Sequence, residues 1–152
     1  MATSITIKHI HQDERGEIIC FYLNGIEYTL LITKEGFARG GCLHNVTEYA
    51  VVLEGKVKYK MPKISEKYIV GQKEPVTVDE TWQVIIPKGR TITVPPETPH
   101  LFISLTDSIV LEWGAPPDQK TRKHPESRAL VETINLLRQR AELKPKTLNI
   151  TE

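Results

Sequence analysis

Two cysteines in 152 residues are too few for a disulfide framework, and no apolar run approaches the roughly 18–20 residues of a membrane span. The opening residues, MATSITIKHI, lack the apolar core of a signal peptide. Together these absences set an intracellular, cytoplasmic protein as the expectation. Charge of one sign is also missing: 20 Lys and Arg against 19 Asp and Glu leave a net +1. No overall field draws the chain to nucleic acid or to a membrane. Zinc-finger spacing, a phosphate-binding glycine loop and an RNA-recognition pattern are absent. GGCLHN lacks the strand–turn–helix setting of a dinucleotide fingerprint.

What remains is an ordinary single domain. Hydrophobic residues make 39% of the chain and charged residues 26%, a balance that suits a soluble core-forming protein. A chain of this length buries about 70% of the surface exposed when unfolded. Short strand patterns dominate. Ile5, Ile7 and His9 alternate with polar neighbours as an edge strand, and Asp13–Gly16 is a turn. Ile18–Leu23 and Glu27–Thr33 flank Asn24-Gly25, the pair favoured by a type I′ hairpin. Lys34–Gly41 reads as a glycine-rich loop. Val51–Leu53, Val57–Met61, Val76–Val78, Thr81–Ile86, Leu101–Leu105 and Ser108–Trp113 follow as strands, with 63–73 a long hairpin or loop. Many short strands without strand–helix alternation predict an all-β barrel or sandwich.

The pattern changes after Trp113. We expect a barrel over 1–117 and, over 118–152, a proline-marked connector and one amphipathic helix. Pro125 and Glu126 suit its first turn, Leu130, Ile134, Leu137 and Ala141 form its apolar stripe, and Lys144-Pro145 stops it. Such a helix is not stable alone in water, so the stripe should cover the barrel or a partner subunit. Eight Lys and Arg against five Asp and Glu in 118–152 read as a solvated face. A homodimer is the expected assembly, because the edge strand and the helix both need covering.

Chemistry concentrates between Gly36 and Gly55. Cys42, His44 and Glu48 share parity, so on one strand they would face the same way. Their spacing, Gly36-x5-Cys42-x-His44-x3-Glu48-x6-Gly55, resembles the first motif of the cupin superfamily. Gly89-x5-Pro95-x-Glu97-x2-His100-x3-Ser104 resembles the second. The resemblance implies a double-stranded β-helix, or jelly-roll barrel, with a metal inside. It places His44, Glu48 and His100 on ligand positions, with Cys42 where a histidine is usual, Glu97 where glycine is common and Ser104 where asparagine is common. Two imidazoles and a carboxylate suit Fe(II), Mn(II), Zn(II) or Ni(II), and adding a thiolate would favour Zn(II). The alternative is a hydrogen-bonded polar network without metal, with Cys42 packed as a small hydrophobe.

A looser resemblance joins Asp13–Gly16, Arg39–Gly41 and His44 to the RmlC-like sugar-nucleotide epimerases and 3,4-ketoisomerases. It implies a metal-free isomerase acting on a dTDP-4-keto sugar, with His44 as base and Arg39, with Arg15, on phosphate. Tyr49 and Phe102 are candidate ligand-contacting aromatics, although each alone is better explained by packing. Cys20 lies in an apolar run and reads as a buried thiol. His9 and His11 share a strand face but read as exposed, and no triad spacing supports Cys42 as a nucleophile. Three functions stay open: a metal-dependent cupin acting on a small acidic or carbonyl molecule through His44 and Glu48, a sugar-nucleotide isomerase, and a non-catalytic ligand-binding or structural cupin.

Overall fold

Glycine, proline and Asn-Gly turns divide the chain into strands too short to bury themselves singly, so they layer into two sheets. The computed structural model describes residues 4–67, 76–114 and 121–143, with backbone alone between 62 and 82. The strands are β1 (Ile5–Asp13), β2 (Gly16–Leu23), β3 (Ile26–Thr33), β4 (Ala38–Leu43), β5 (Glu48–Glu54), β6 (Lys56–Lys67), β7 (Val76–Pro87), β8 (Thr91–Val94), β9 (His100–Ser104), β10 (Ser108–Trp113) and β11 (Arg122–Lys123). One helix, α1 (Pro125–Leu143), follows. A six-stranded sheet runs β1-β2-β3-β10-β5-β8 and a five-stranded sheet runs β11-β4-β9-β6-β7. All pairs are antiparallel.

Register lines define the inner faces. Leu31, Val110 and Val52 stand opposite one another across β3, β10 and β5. Arg39, Phe102 and Tyr59 do so across β4, β9 and β6. Leu31, Val52, Val57, Tyr59, Met61, Ile86, Ile92, Phe102 and Val110 form the core between the sheets. The type I′ expectation holds, with Asn24 and Gly25 both at positive φ. The all-β class and the C-terminal helix hold as well.

Three expectations change. Residues 38–41 are strand, not loop: the glycines sit in β4, where Gly40 and Gly41 lie at φ 104 and 89. The connector is not merely a tether, because Arg122 and Lys123 pair with Leu43 and Cys42 and add a strand to the sheet. The helix also turns only part of its expected stripe inward, with Ile134 packing on the barrel. Leu130 and Leu137 are 39% and 59% exposed, whereas Val131 is fully buried and packs with Ala38 and Leu101.

The physical reason for that rotation is a polar anchor. Asn135 Oδ1 accepts from the Ala38 amide at 2.7 Å, and Asn135 Nδ2 donates to the Ala38 carbonyl at 3.1 Å. The side-chain amide thereby serves as a strand partner for β4, meeting backbone groups that would be costly to bury unpaired. On β9, Leu101 and Ile103 face the helix while His100, Phe102 and Ser104 face the barrel. No helix among the described residues is long and apolar enough to cross a membrane. The helix stop at Lys144-Pro145, the 117/118 boundary and residues 68–73 lie outside the described residues.

Candidate metal centre

Cys42, His44 and Glu48 do not share a strand. β4 ends at Leu43 in the five-stranded sheet, residues 44–47 cross the barrel end, and Glu48 opens β5 in the other sheet. Their convergence therefore comes from the crossing and not from period-two alternation. Alternation is also broken inside β4, where Gly40 pairs with Leu101 and Cys42 with His100, leaving Gly41 as the extra residue of a bulge. A Cβ at Gly40 would lie 2.7 Å from the His100 carbonyl oxygen, so only glycine passes there. The bulge brings Arg39 and Cys42, three residues apart, onto the wall of one cavity.

His44, Glu48 and His100 meet in a cluster whose ligand atoms all lie within 4.8 Å of one another. Glu48 Oε2 is 2.7 Å from His44 Nε2, and Glu48 Oε1 is 3.1 Å from His100 Nε2. All three side chains are nearly closed to solvent. His100 Nδ1 lies 3.1 Å from the Thr98 carbonyl oxygen, an acceptor only. His44 Nδ1 lies 3.2 Å from Thr121 Oγ1, and the His44 carbonyl accepts from the Glu97 amide at 2.7 Å. Glu97, at φ 59, adopts the left-handed turn that glycine would take most easily.

The electrostatics follow from crowding opposite charges in a dry place. Burial opposes the charge on Glu48, but hydrogen bonds and charge from His100 and then His44 outweigh it and hold the carboxyl down at about 2. Burial likewise opposes the charge on His100, and Glu48 more than restores it, raising His100 above its ordinary value. Glu112 behaves oppositely. Burial, then the charge of Glu48, pushes its carboxyl up to about 8. Burial also brings the Arg39 guanidinium down to about 10.

The cavity beside the triad has a volume of about 430 Å³, equal to roughly fourteen waters at liquid density. Arg39, Cys42, His44, His100, Phe102 and Glu112 are among its walls. Cys42 is half-buried there, its thiol pushed up by burial, but it is outside the three-residue cluster and is not brought into the ligand set. Phe102 lies in the wall. Tyr49 does not: it is 42% exposed and stacks on Trp113 at 5.9 Å between centroids, because it alternates with inward Glu48 and Ala50. The Trp82 side chain lies outside the described residues.

Sequence reasoning missed Glu112 and Thr121. Glu112 shares parity with buried Val110, which was a usable signal, but Ile109, Leu111 and Trp113 make the opposite face of β10 the more apolar one and hide it. Thr121 carried no signal, since its role depends on the connector returning beside β4.

No family model and no curated protein matches the chain. Solved structures do. An oxalate decarboxylase from Lactobacillus farciminis is similar over 90% of this chain and 42% of its own, at TM-score 0.62 and 14% identity. The capsular polysaccharide assembling protein CapF from Staphylococcus aureus is similar over 78% of this chain and 31% of its own, at TM-score 0.55 and 17% identity. Procruciferin, an 11S globulin from Brassica napus, is similar over 80% and 36%, at TM-score 0.59 and 10% identity. The chain thus spans less than half the length of each. Its neighbours are cupins, and the chain has the cupin fold. Because these include a decarboxylase and an 11S globulin, the fold does not select an activity.

Proposed function

We propose that the protein holds one divalent metal on His44, Glu48 and His100 and binds a small acidic or carbonyl molecule beside it. The observation that carries this reading is the arrangement of proton donors around Glu48. His100 Nδ1 faces only the Thr98 carbonyl, so it donates there, and the lone pair of Nε2 is left pointing at Glu48 Oε1. Two acceptors at 3.1 Å need a positive charge between or upon them, either a second proton on the ring or a metal ion. His44 Nε2 meets the other carboxylate oxygen, which gives the two-imidazole, one-carboxylate set common to Fe(II), Mn(II), Zn(II) and Ni(II) sites. With Cys42 outside the cluster, softness gives no preference for zinc.

A divalent ion held there would supply Lewis acidity to a carbonyl or carboxylate oxygen. The protein's own part is to fix the imidazoles through Thr98 and Thr121 and to exclude water. It also sets Glu112 in the cavity wall beside the cluster. The metal-free sugar-nucleotide reading has less support. Asp13 occupies the guanidinium of Arg15 through Nε at 3.0 Å and Nη2 at 2.5 Å, so Arg15 is not poised for a pyrophosphate.

Elemental analysis of the purified protein tests the reading, with titration of the EDTA-treated protein by Zn(II), Mn(II), Fe(II) and Ni(II). About one ion per chain is expected, and His100→Ala should abolish tight binding. Protein that takes up none of the four, yet is stabilised thermally by a dTDP-sugar, would overturn it in favour of the isomerase.

A further inference from the structure

Arg39 is 2% exposed and lies in the wall of the cavity that His44 and His100 also line. Its Nε donates to Thr33 Oγ1 at 2.7 Å and its Nη2 donates to the Ile32 carbonyl at 3.2 Å. Its Nη1 is fully buried and has no hydrogen-bond partner among the described residues. Among the described residues Arg39 has no carboxylate within ion-pair distance, although Glu112 lines the same cavity, and a guanidinium without water or a paired counter-charge is costly to bury. The other two arginines of the cavity are engaged. Arg15 is gripped by Asp13, and Arg128 Nη1 donates to the Gly40 carbonyl at 2.6 Å while its Nη2 lies 3.8 Å from the Glu132 carboxylate.

We infer that Arg39 Nη1 is the anchor for a carboxylate, and that the cavity takes a small monocarboxylic acid with an apolar body. This rests on the reading of the cavity as the small-molecule site. Three observations select that class. One buried nitrogen with one uncompensated charge matches a monoanion, whereas a phosphate dianion would need a second free cation, and Arg15 and Arg128 do not offer one. A water molecule would satisfy the N–H but leave the charge unbalanced, whereas an anion does both. Phe102 stands directly opposite Arg39 and two residues along β9 from His100, about 7 Å of strand. The acid group thus sits at Arg39, the body lies on the Phe102 ring, and the far end reaches the His44–Glu48–His100 cluster.

Calorimetry of the protein as purified tests this with matched probes: benzoate against benzamide, phenylpyruvate against phenylpyruvamide, and inorganic phosphate. The acids should bind about tenfold or more tightly than their amides, and phosphate should not compete. Arg39→Gln should lose that discrimination while metal uptake stays as in the unmodified protein. Arg39→Lys, which keeps the charge but not the contacts to Thr33 and Ile32, should retain part of it. The acid–amide comparison on the unmodified protein needs no variant, so a misfolded Arg39→Gln does not end the test. Equal binding of acid and amide, tighter binding of phosphate, or no binding of either acid overturns the inference. Discrimination of acids by a protein that takes up no metal upholds it and removes only the metal reading.

Discussion

The two ends of the barrel are built on the same strands with opposite chemistry. On β5, Val52 faces the apolar end and Glu48 the polar end. On β10 the same division separates Val110 from Glu112, and on β9 Phe102 stands at the boundary, in the core and in the cavity wall, two residues from His100. A step of two to four residues along a strand therefore moves from close-packed hydrocarbon to charge. The apolar end is held by packing, which is indifferent to pH and to ligands. At the polar end His44, Glu48 and His100 hold one another, while Arg39 Nη1 has no partner among the described residues. The barrel can carry this end because the other supplies its stability.

The largest effect should come from breaking the apolar end alone. Ile92, 7% exposed on β8, packs in the inter-sheet core without entering the metal cluster. Ile92→Ala is expected to cost about 2–5 kcal/mol in chemical denaturation through lost burial and a residual cavity. Metal uptake by the fraction that stays folded should be unchanged. A variant that loses metal affinity in step with stability would show that the two ends are one cooperative unit.

This division explains what the sequence made legible. Motif spacing, turn glycines and alternation mark the barrel, and the triad of His44, Glu48 and His100 follows from that spacing. Local periodicity fails where backbone geometry departs from it. The Gly40-Gly41 bulge changes which side chains face inward, so Arg39 and Cys42 share a wall that parity denies them. Hydrophobic periodicity also misjudges α1, because its docked face is fixed by Asn135 and by small Ser127, which an apolar count ignores. Glu112 was hidden because Ile109, Leu111 and Trp113 make the opposite face of β10 look like the core face. Each miss is a polar group whose partner is remote in sequence.

A smaller effect separates charge-held from packing-held structure by pH. Burial would raise the Asp13 carboxyl, but hydrogen bonds and charge from Arg15 outweigh it and hold it well below the usual carboxylate range. A carboxyl depressed in the folded state stabilises above its unfolded value of 3.8, and that contribution declines as pH falls below it. Asp13→Asn should therefore cost about 1–2 kcal/mol at pH 7, since both groups are mostly buried and the bonds are charge-assisted. The difference from the unmodified protein should shrink on acidification below pH 3.8, while the deficit of Ile92→Ala should not. Urea titrations at matched pH values check it, and a deficit independent of pH would mean that the turn at 13–16 is held by shape instead.

The smallest effect probes the one strained turn that supports the polar end. Glu97 occupies the left-handed region at φ 59, and its amide holds the His44 carbonyl at 2.7 Å. Its carboxylate pairs with Arg122 on β11, but both side chains are more than half exposed. Replacing Glu97 with glycine relieves backbone strain of about 1 kcal/mol and removes an ion pair worth about 0–1 kcal/mol. Glycine's greater unfolded-state entropy opposes the relief as well. Glu97→Gly is therefore expected to change stability by only about 0.5 kcal/mol and to leave metal uptake intact, because the amide that positions His44 is unchanged. Glu97→Ala keeps the strain and loses the pair, so it should be the less stable of the two. A marked loss of metal binding in Glu97→Gly would instead show that the Arg122 pair, through the β11 connector beside Thr121, is what orients His44.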